Sequence, residues 1–175
     1  MILLGIGSNL AAPDHRLPLE TALAAVGVLP ALGIDVTICS PWYESEPVPP
    51  SDQPWFVNAV AVVATSLPPE ALLDRLLRLE QRFGRRRGRI NATRMLDLDL
   101  LDYDGMLIDT ATLALPHPRL HLRRFVLAPL CDIAPGWRHP RLGPTAAELL
   151  AGLPAGQPVR RIARPDPNRN GGDCG

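Results

Sequence analysis

The sequence predicts an α+β domain, a mostly antiparallel sheet with helices packed on it, close to a ferredoxin-like plan with an appended hairpin and C-terminal helices. Two observations lead there. Short apolar or alternating runs interleave with stretches that repeat at helical spacing, in the order strand, helix, strand, strand, helix, strand. The chain of 175 residues, 46% of them hydrophobic, can also bury one sizeable core, and residues 1–163 are read as a single domain.

Residues 2–6 form an apolar run that opens into the polar turn Gly7-Ser8-Asn9, a buried first strand. Leu19, Ala22, Leu23 and Val26 recur at helical spacing; Pro18 suits a first turn and Gly27 an end, so a helix is expected over 18–26. Ile34, Val36 and Ile38 alternate as a half-buried strand leading into Pro41-Trp42-Tyr43. Residues 44–54 contain Pro47, Pro49, Pro50 and Pro54 and are expected to loop. Residues 56–65, rich in valine and alanine, read as a long strand with Phe56, Asn58, Val60 and Val62 on one face. Pro68 and Pro69 start a helix whose apolar stripe is Leu72, Leu73, Leu76, Leu79 and Phe83, closed by Gly84. An arginine-rich loop leads to a strand over 96–103, and Asp104-Gly105 signals a hairpin before Met106-Leu107-Ile108. After the irregular Pro116-His117-Pro118 come a helix over 121–133, a short one over 146–150, and a tail, 164–175, expected to be disordered.

Composition narrows the chemistry. Basic and acidic residues balance at 18 each, so no global field draws the chain to nucleic acid or to an anionic membrane. All 18 basic residues are arginine, which removes the phosphate-loop lysine and the Schiff-base lysine; any phosphate clamp here is made of guanidinium groups. No apolar run is long enough to span a membrane, and Met1 leads straight into Ile2-Leu3-Leu4-Gly5 without a basic start, so a cytosolic location is expected. A monomer is expected ahead of an oligomer, though no residue pattern fixes the oligomeric state. Cys39, Cys131 and Cys174, odd in number and far apart, are expected to be free thiols.

Strand periodicity puts Asp97 and Asp99 on one face and Leu96, Leu98 and Leu100 on the other. Magnesium takes one or two carboxylates and completes its shell with water and phosphate oxygens, so this pair suits a metal-holding strand; a solvated polar face explains the same pattern. Arg82, Arg85, Arg86, Arg87, Arg89 and Arg94 lie just upstream, and a metal-bound polyphosphate needs both signs of charge close together. Cations at a helix end also complement its dipole, which accounts for some of them. Glu80 stands in the last turn of its helix, against the dipole, and an exposed surface glutamate is the plain expectation. Phe56 and Asn58, two apart on a strand, offer a flat heterocycle a stacking surface and an amide; a core phenylalanine beside a solvent-facing asparagine fits as well. His117 is either a phosphate donor or a loop histidine.

Six segments, in order, resemble the 6-hydroxymethyl-7,8-dihydropterin pyrophosphokinase family over nearly the whole chain up to about Pro140. They are Gly5-Ile6-Gly7-Ser8-Asn9-Leu10, Tyr43-Glu44-Ser45-Glu46-Pro47-Val48, Asp52-Gln53-Pro54-Trp55-Phe56-Val57-Asn58-Ala59, Leu79-Glu80 through Gly84-Arg85-Arg86-Arg87, Arg94-Met95-Leu96-Asp97-Leu98-Asp99-Leu100-Leu101, and Leu115-Pro116-His117-Pro118-Arg119 through Arg123-Arg124-Phe125-Val126-Leu127. The resemblance implies transfer of the pyrophosphoryl group of ATP to the pterin hydroxymethyl oxygen, with release of AMP, in folate biosynthesis. It implies that Asp97 and Asp99 hold two Mg2+ ions against the phosphates and that Asp97, Asp99, Arg87 and Arg94 carry catalysis. By the same match Glu80, Arg87, Arg94, His117 and Arg123 contact ATP. Asn58 hydrogen-bonds the pterin edge, Phe56 and Phe125 sandwich its ring, and the backbone around Ser45 and Val48 adds polar contacts. The chain departs from the family in carrying Asn91-Ala92-Thr93 where Trp-Gly-Pro is usual, and Pro49-Pro50 where glycines are common. Two rivals remain on the residues alone: another two-metal nucleotidyl transferase, and a non-catalytic ferredoxin-like module binding a nucleotide or RNA.

Overall fold

In the computed structural model, which describes residues 1–84 and 95–162, β1 (Ile2–Ser8) lies between β4 (Phe56–Ala64) and β5 (Asp97–Tyr103), antiparallel to both. The far edge of β4 is shared along its length. β2 (Asp35–Cys39) pairs with residues 61–64 and β3 (Tyr43–Ser45) with residues 56–58. β8 (Val159–Arg161) then adds to β3, and every pairing in this sheet is antiparallel, as expected. The loop expected from residue 44 therefore begins after Ser45. Three residues of β3, paired on both sides, are too few to show a period of their own.

Both faces of the sheet are covered. Ile2, Leu4 and Ile6 pack with Ala22 and Ala25 of α1 (Pro18–Val28) and with Leu72, Leu76 and Leu79 of α2 (Pro69–Arg82). On the other face Leu3, Val60 and Leu101 meet Val126, Leu127 and Leu130 of α3 (Arg124–Ile133) and Ala146 of α4 (Ala146–Gly152). Burial from two sides is why β1 and β4 read as continuous apolar runs rather than strict alternations. β2 is less covered than its alternation suggests: a register shift between Val36 and Ile38 breaks the period, and Ile38 is 48% exposed.

Turn residues decide several boundaries. Gly27 does not end α1; the helix runs on to Val28 and a 3-10 turn, Leu29–Leu32, and stops at Gly33, whose φ of 72° is left-handed. Gly84 does end α2, with φ 94°. Asp104 and Gly105 both have positive φ (50° and 72°), and the Met106 N–H reaches the Tyr103 carbonyl at 2.9 Å, the tight turn the dipeptide predicts. Its hairpin forms one step later: Met106 and Leu107 stay exposed, and β6 (Ile108–Asp109) pairs with β7 (Ala114–Leu115). Within β5, Leu3 pairs with Asp102 and Leu4 with Leu100, so Leu101 is an extra residue. Such a bulge puts two successive side chains on one face, which turns Asp102 toward α3 and α4, where it accepts from Trp137 Nε1 at 2.9 Å. Cys39 and Cys131 are free thiols, and Cys174 lies outside the described residues, as does the tail.

His139, in the connection from α3 to α4, is buried edge-on to His121 and Trp137, with ring centroids 5.5 and 5.8 Å away. Its Nδ1 accepts from the amides of Arg141 and Leu142 at 3.2 and 3.3 Å, so the ring proton is on Nε2. Burial lowers its pKa below the ordinary histidine value; His121 and Arg141 push the same way and Asp102 opposes. A depressed folded-state pKa means that the unfolded chain takes up the proton first, so stability is lost as pH falls through the ordinary histidine value, about 6.5. The melting temperature should drop between about pH 7.5 and pH 5.5, and His139→Gln should flatten that drop. Thermal melts of both proteins across the range check this, and equal slopes would place the sensitivity elsewhere.

Candidate active site

The register of the three central strands builds the site. Gly7 pairs with Asn58 on β4 and with Asp97 on β5, while Gly5 pairs with Val60 and Asp99. Residues opposite one another in a sheet share a face, and strands lie about 4.8 Å apart, so Asn58 and Asp97 stand roughly 10 Å apart with a glycine between them. A Cβ on Gly7 would come within 3.5 Å of Asn58 Oδ1 and 3.8 Å of Asp97 Cβ, closing that gap. Asp97 and Asp99 are half-buried and face the pocket, whereas Leu96, Leu98 and Leu100 are buried behind them, as their alternation predicts.

Among the described residues β5 is an edge strand, and its outward amides have no strand partner there. Glu80 supplies one: its Oε1 accepts from the Leu98 N–H at 2.8 Å, and the side chain is 1% exposed. The expectation of an exposed surface glutamate is overturned here. Leu76 and Leu79 seat α2 on the sheet, and that seating turns the next residue onto the strand edge. Glu80 thus grips the backbone between Asp97 and Asp99 and does not line the pocket.

A guanidinium and an imidazole gather at Asp99. Arg123, at the start of α3, donates from Nη1 to Asp99 Oδ2 at 3.2 Å. The bulge frees the Leu101 carbonyl to accept the His117 N–H at 2.8 Å, which fixes His117 beside the same carboxylate. His117 Nδ1 accepts from the Arg119 N–H at 3.2 Å, leaving the ring proton on Nε2, 3.9 Å from Asp99 Oδ2. Burial lowers the His117 pKa, against the pull of Asp99, so the ring is neutral at pH 7 and the 3.9 Å approach is no ion pair. Burial also lowers the Arg123 pKa, with Asp99 opposing, and a guanidinium stays charged regardless.

The other end of the pocket is aromatic and amidic. Asn58 is buried, not solvent-facing, and its Nδ2 donates to Ser45 Oγ at 2.9 Å. Phe56, Phe125 and Val48 line the same pocket, and the Arg123 guanidinium lies 5.4 Å from the Phe125 ring centroid. The turn after β1 joins the two ends. Ser8 Oγ donates to the Met95 carbonyl at 2.6 Å, just ahead of the aspartate strand, and Asn9 Nδ2 donates to Gln53 Oε1 at 3.2 Å. The structure therefore brings Ser45, Val48, Phe56, Asn58, Asp97, Asp99, His117, Arg123 and Phe125 to one region. Arg87 and Arg94 lie outside the described residues, as do the other arginines of 85–89 and Asn91-Ala92-Thr93. Arg119, Gln53, Gly5 and Gly7 also line or shape the pocket and were missed. The period-two glycines of β1 were the available signal.

Among the described residues no cluster of three or more His, Cys, Asp or Glu side chains forms a cation site. Two carboxylates suit a hard ion that completes its shell with water and phosphate, as magnesium does; the ligand sets of structural zinc or calcium ask for more.

The family model for 7,8-dihydro-6-hydroxymethylpterin-pyrophosphokinase matches residues 3–135. A 2-amino-4-hydroxy-6-hydroxymethyldihydropteridine pyrophosphokinase of Pseudomonas aeruginosa is 42% identical over 153 residues, 87% of this chain and 91% of that protein. The protein of the same name from Synechocystis is 40% identical over 146 residues, 83% of this chain and 72% of its own. Among solved structures, a Plasmodium falciparum HPPK-DHPS triple mutant has a TM-score of 0.64 at 16% identity; the match covers 86% of this chain and 42% of that one, a likeness of fold. With most of its length matched by the family model and two relatives at 40% identity or more, the chain belongs to the 7,8-dihydro-6-hydroxymethylpterin-pyrophosphokinase family.

Proposed function

We propose that the chain transfers the pyrophosphoryl group of ATP to 6-hydroxymethyl-7,8-dihydropterin, giving AMP and the dihydropterin diphosphate, a step of folate biosynthesis. The observation that supports this best is the row Asn58, Gly7, Asp97: an amide beside aromatic rings at one end of a pocket and paired carboxylates at the other. In this reading Asn58 hydrogen-bonds the pterin edge, Phe56 and Phe125 sandwich the ring, and the backbone near Ser45 and Val48 contributes polar contacts. Asp97 and Asp99 hold two magnesium ions, which when bound neutralise phosphate charge. Arg123 and His117 Nε2–H point at the same place and contact ATP oxygens, joined by Arg87 and Arg94. Glu80 serves ATP through β5, by holding the Leu98 amide and so the spacing of the two aspartates. Transfer of this kind needs alignment and charge neutralisation more than a strong protein base.

The reading takes residues 1–163 as one domain acting as a cytosolic monomer, with 164–175 as a tail; β8, near the domain's end, belongs to the same sheet as β1. No described helix is long and apolar enough to cross a membrane.

Given ATP, magnesium and the pterin alcohol, the protein should form AMP, and chelation of the metal should abolish it. ADP or free pyrophosphate as product would instead favour the nucleotidyl transferase or another kinase chemistry. Asp97→Asn and Asp99→Asn should each lower turnover at least about a hundredfold, the scale of removing a main electrostatic stabiliser, with melting temperature nearly unchanged. Unaltered turnover in either would return the strand to a mere polar face. Glu80→Ala leaves the buried Leu98 N–H unsatisfied; it should cost about 1–3 kcal/mol in denaturant unfolding and lower turnover as well. A fully stable variant would show that the Glu80 contact does not hold β5.

A further inference from the structure

We infer that residues 157–161, downstream of the segment the family model covers, clamp both walls of the pterin end of the pocket, with Arg160 and Gln157 as positioning residues. The inference rests on the functional reading above. Arg160 pairs with Glu44 in the β3–β8 register, its Nε lies 2.7 Å from Glu44 Oε2, and its guanidinium carbon lies 4.7 Å from the Trp55 ring centroid. Glu44 immediately precedes Ser45, and Trp55 immediately precedes Phe56. One side chain therefore bridges the two ends of the loop 46–54, which contributes Glu46, Val48 and Gln53 to the pocket.

Gln157 does the same for the opposite wall. Its Oε1 accepts from the Arg124 N–H at 2.8 Å, and its Nε2 donates to the Leu122 carbonyl at 3.0 Å. These two contacts bracket Arg123 and stop one residue short of Phe125. Both walls are thereby fixed to one short segment, through neighbours of the side chains that face the pocket and not through those side chains themselves. The guanidinium suits this task because a planar cation can stack on an indole while donating to a carboxylate.

Arg160 is largely exposed, and exposed ion pairs and cation–π contacts are individually modest, so the expected effects are moderate. Arg160→Ala should raise the KM for the pterin about fivefold, with kcat and the KM for ATP changed less than about twofold. The Arg160→Ala/Gln157→Ala double variant should raise the pterin KM about tenfold or more and, because Gln157 brackets Arg123, the KM for ATP as well. Arg160→Lys, which keeps a cation near Glu44 but not the planar stack, should fall between wild type and Arg160→Ala. Amide hydrogen exchange on the ligand-free protein gives a second readout. Arg160→Ala should speed exchange at residues 44–46 and 53–57, and Gln157→Ala at residues 123–127. Unchanged exchange in those stretches overturns the clamp, whatever the kinetics. In Arg160→Ala, an ATP KM that rises in step with the pterin KM overturns it too, because it reports general loosening. Wild-type protein that makes no AMP overturns the functional reading, and the exchange data then decide the clamp by themselves.

Discussion

In the row Asn58, Gly7, Asp97 three strands present consecutive places on one surface, and a slip of β1 by a single residue against either neighbour would bury what must face the pocket. The slip is prevented from both sides of the sheet. Ile2, Leu4 and Ile6 belong to the core under α1 and α2, and Leu3 belongs to the core under α3. A displaced β1 would push leucines toward water and glycines into packed space at once. Register, and through it the distance from amide to carboxylate, is thus enforced by hydrophobic burial far from any reacting atom.

The price of this plan is that the aspartates ride on an edge strand. Two buried acids stabilise that edge. Glu80 comes from α2 to hold the Leu98 amide, and Asp102, turned by the bulge at Leu101, takes the Trp137 indole N–H and the Gly105 amide at 3.2 Å. Burying a carboxylate is unfavourable unless it is hydrogen-bonded, and bonds to a charged acceptor are the stronger kind. The same bulge releases the Leu101 carbonyl to His117, so one irregularity both secures the strand and sets the His117 ring beside Asp99.

How much of this was legible depends on whether a feature belongs to one segment or to a pairing. The alternation of Asp97 and Asp99 with leucines, the stripe of α2 and the Asp104-Gly105 turn are local, and each stands where its spacing put it. Glu80 was misplaced because helical phase relative to a partner strand is set by packing, which no single segment reveals. The contact from Asn58 to Ser45 needs the β3–β4 register, and β3 and β8 are strands only by virtue of their neighbours. Gly27 and Gly33 look alike on paper; only the second occupies a left-handed turn, because the chain stays helical until Leu32.

The dipeptide Ser8-Asn9 bears on how such an enzyme can be altered. Both residues are buried, one bound to the approach to the aspartate strand and the other to the end of the loop before Phe56. The carboxylate end and the aromatic end of the pocket are consequently not interchangeable modules. A graft that changes the length of either segment must also reseat the shared turn, so the geometry of the two ends is inherited together, and on the proposed function so are specificity for the acceptor and geometry at the donor phosphates.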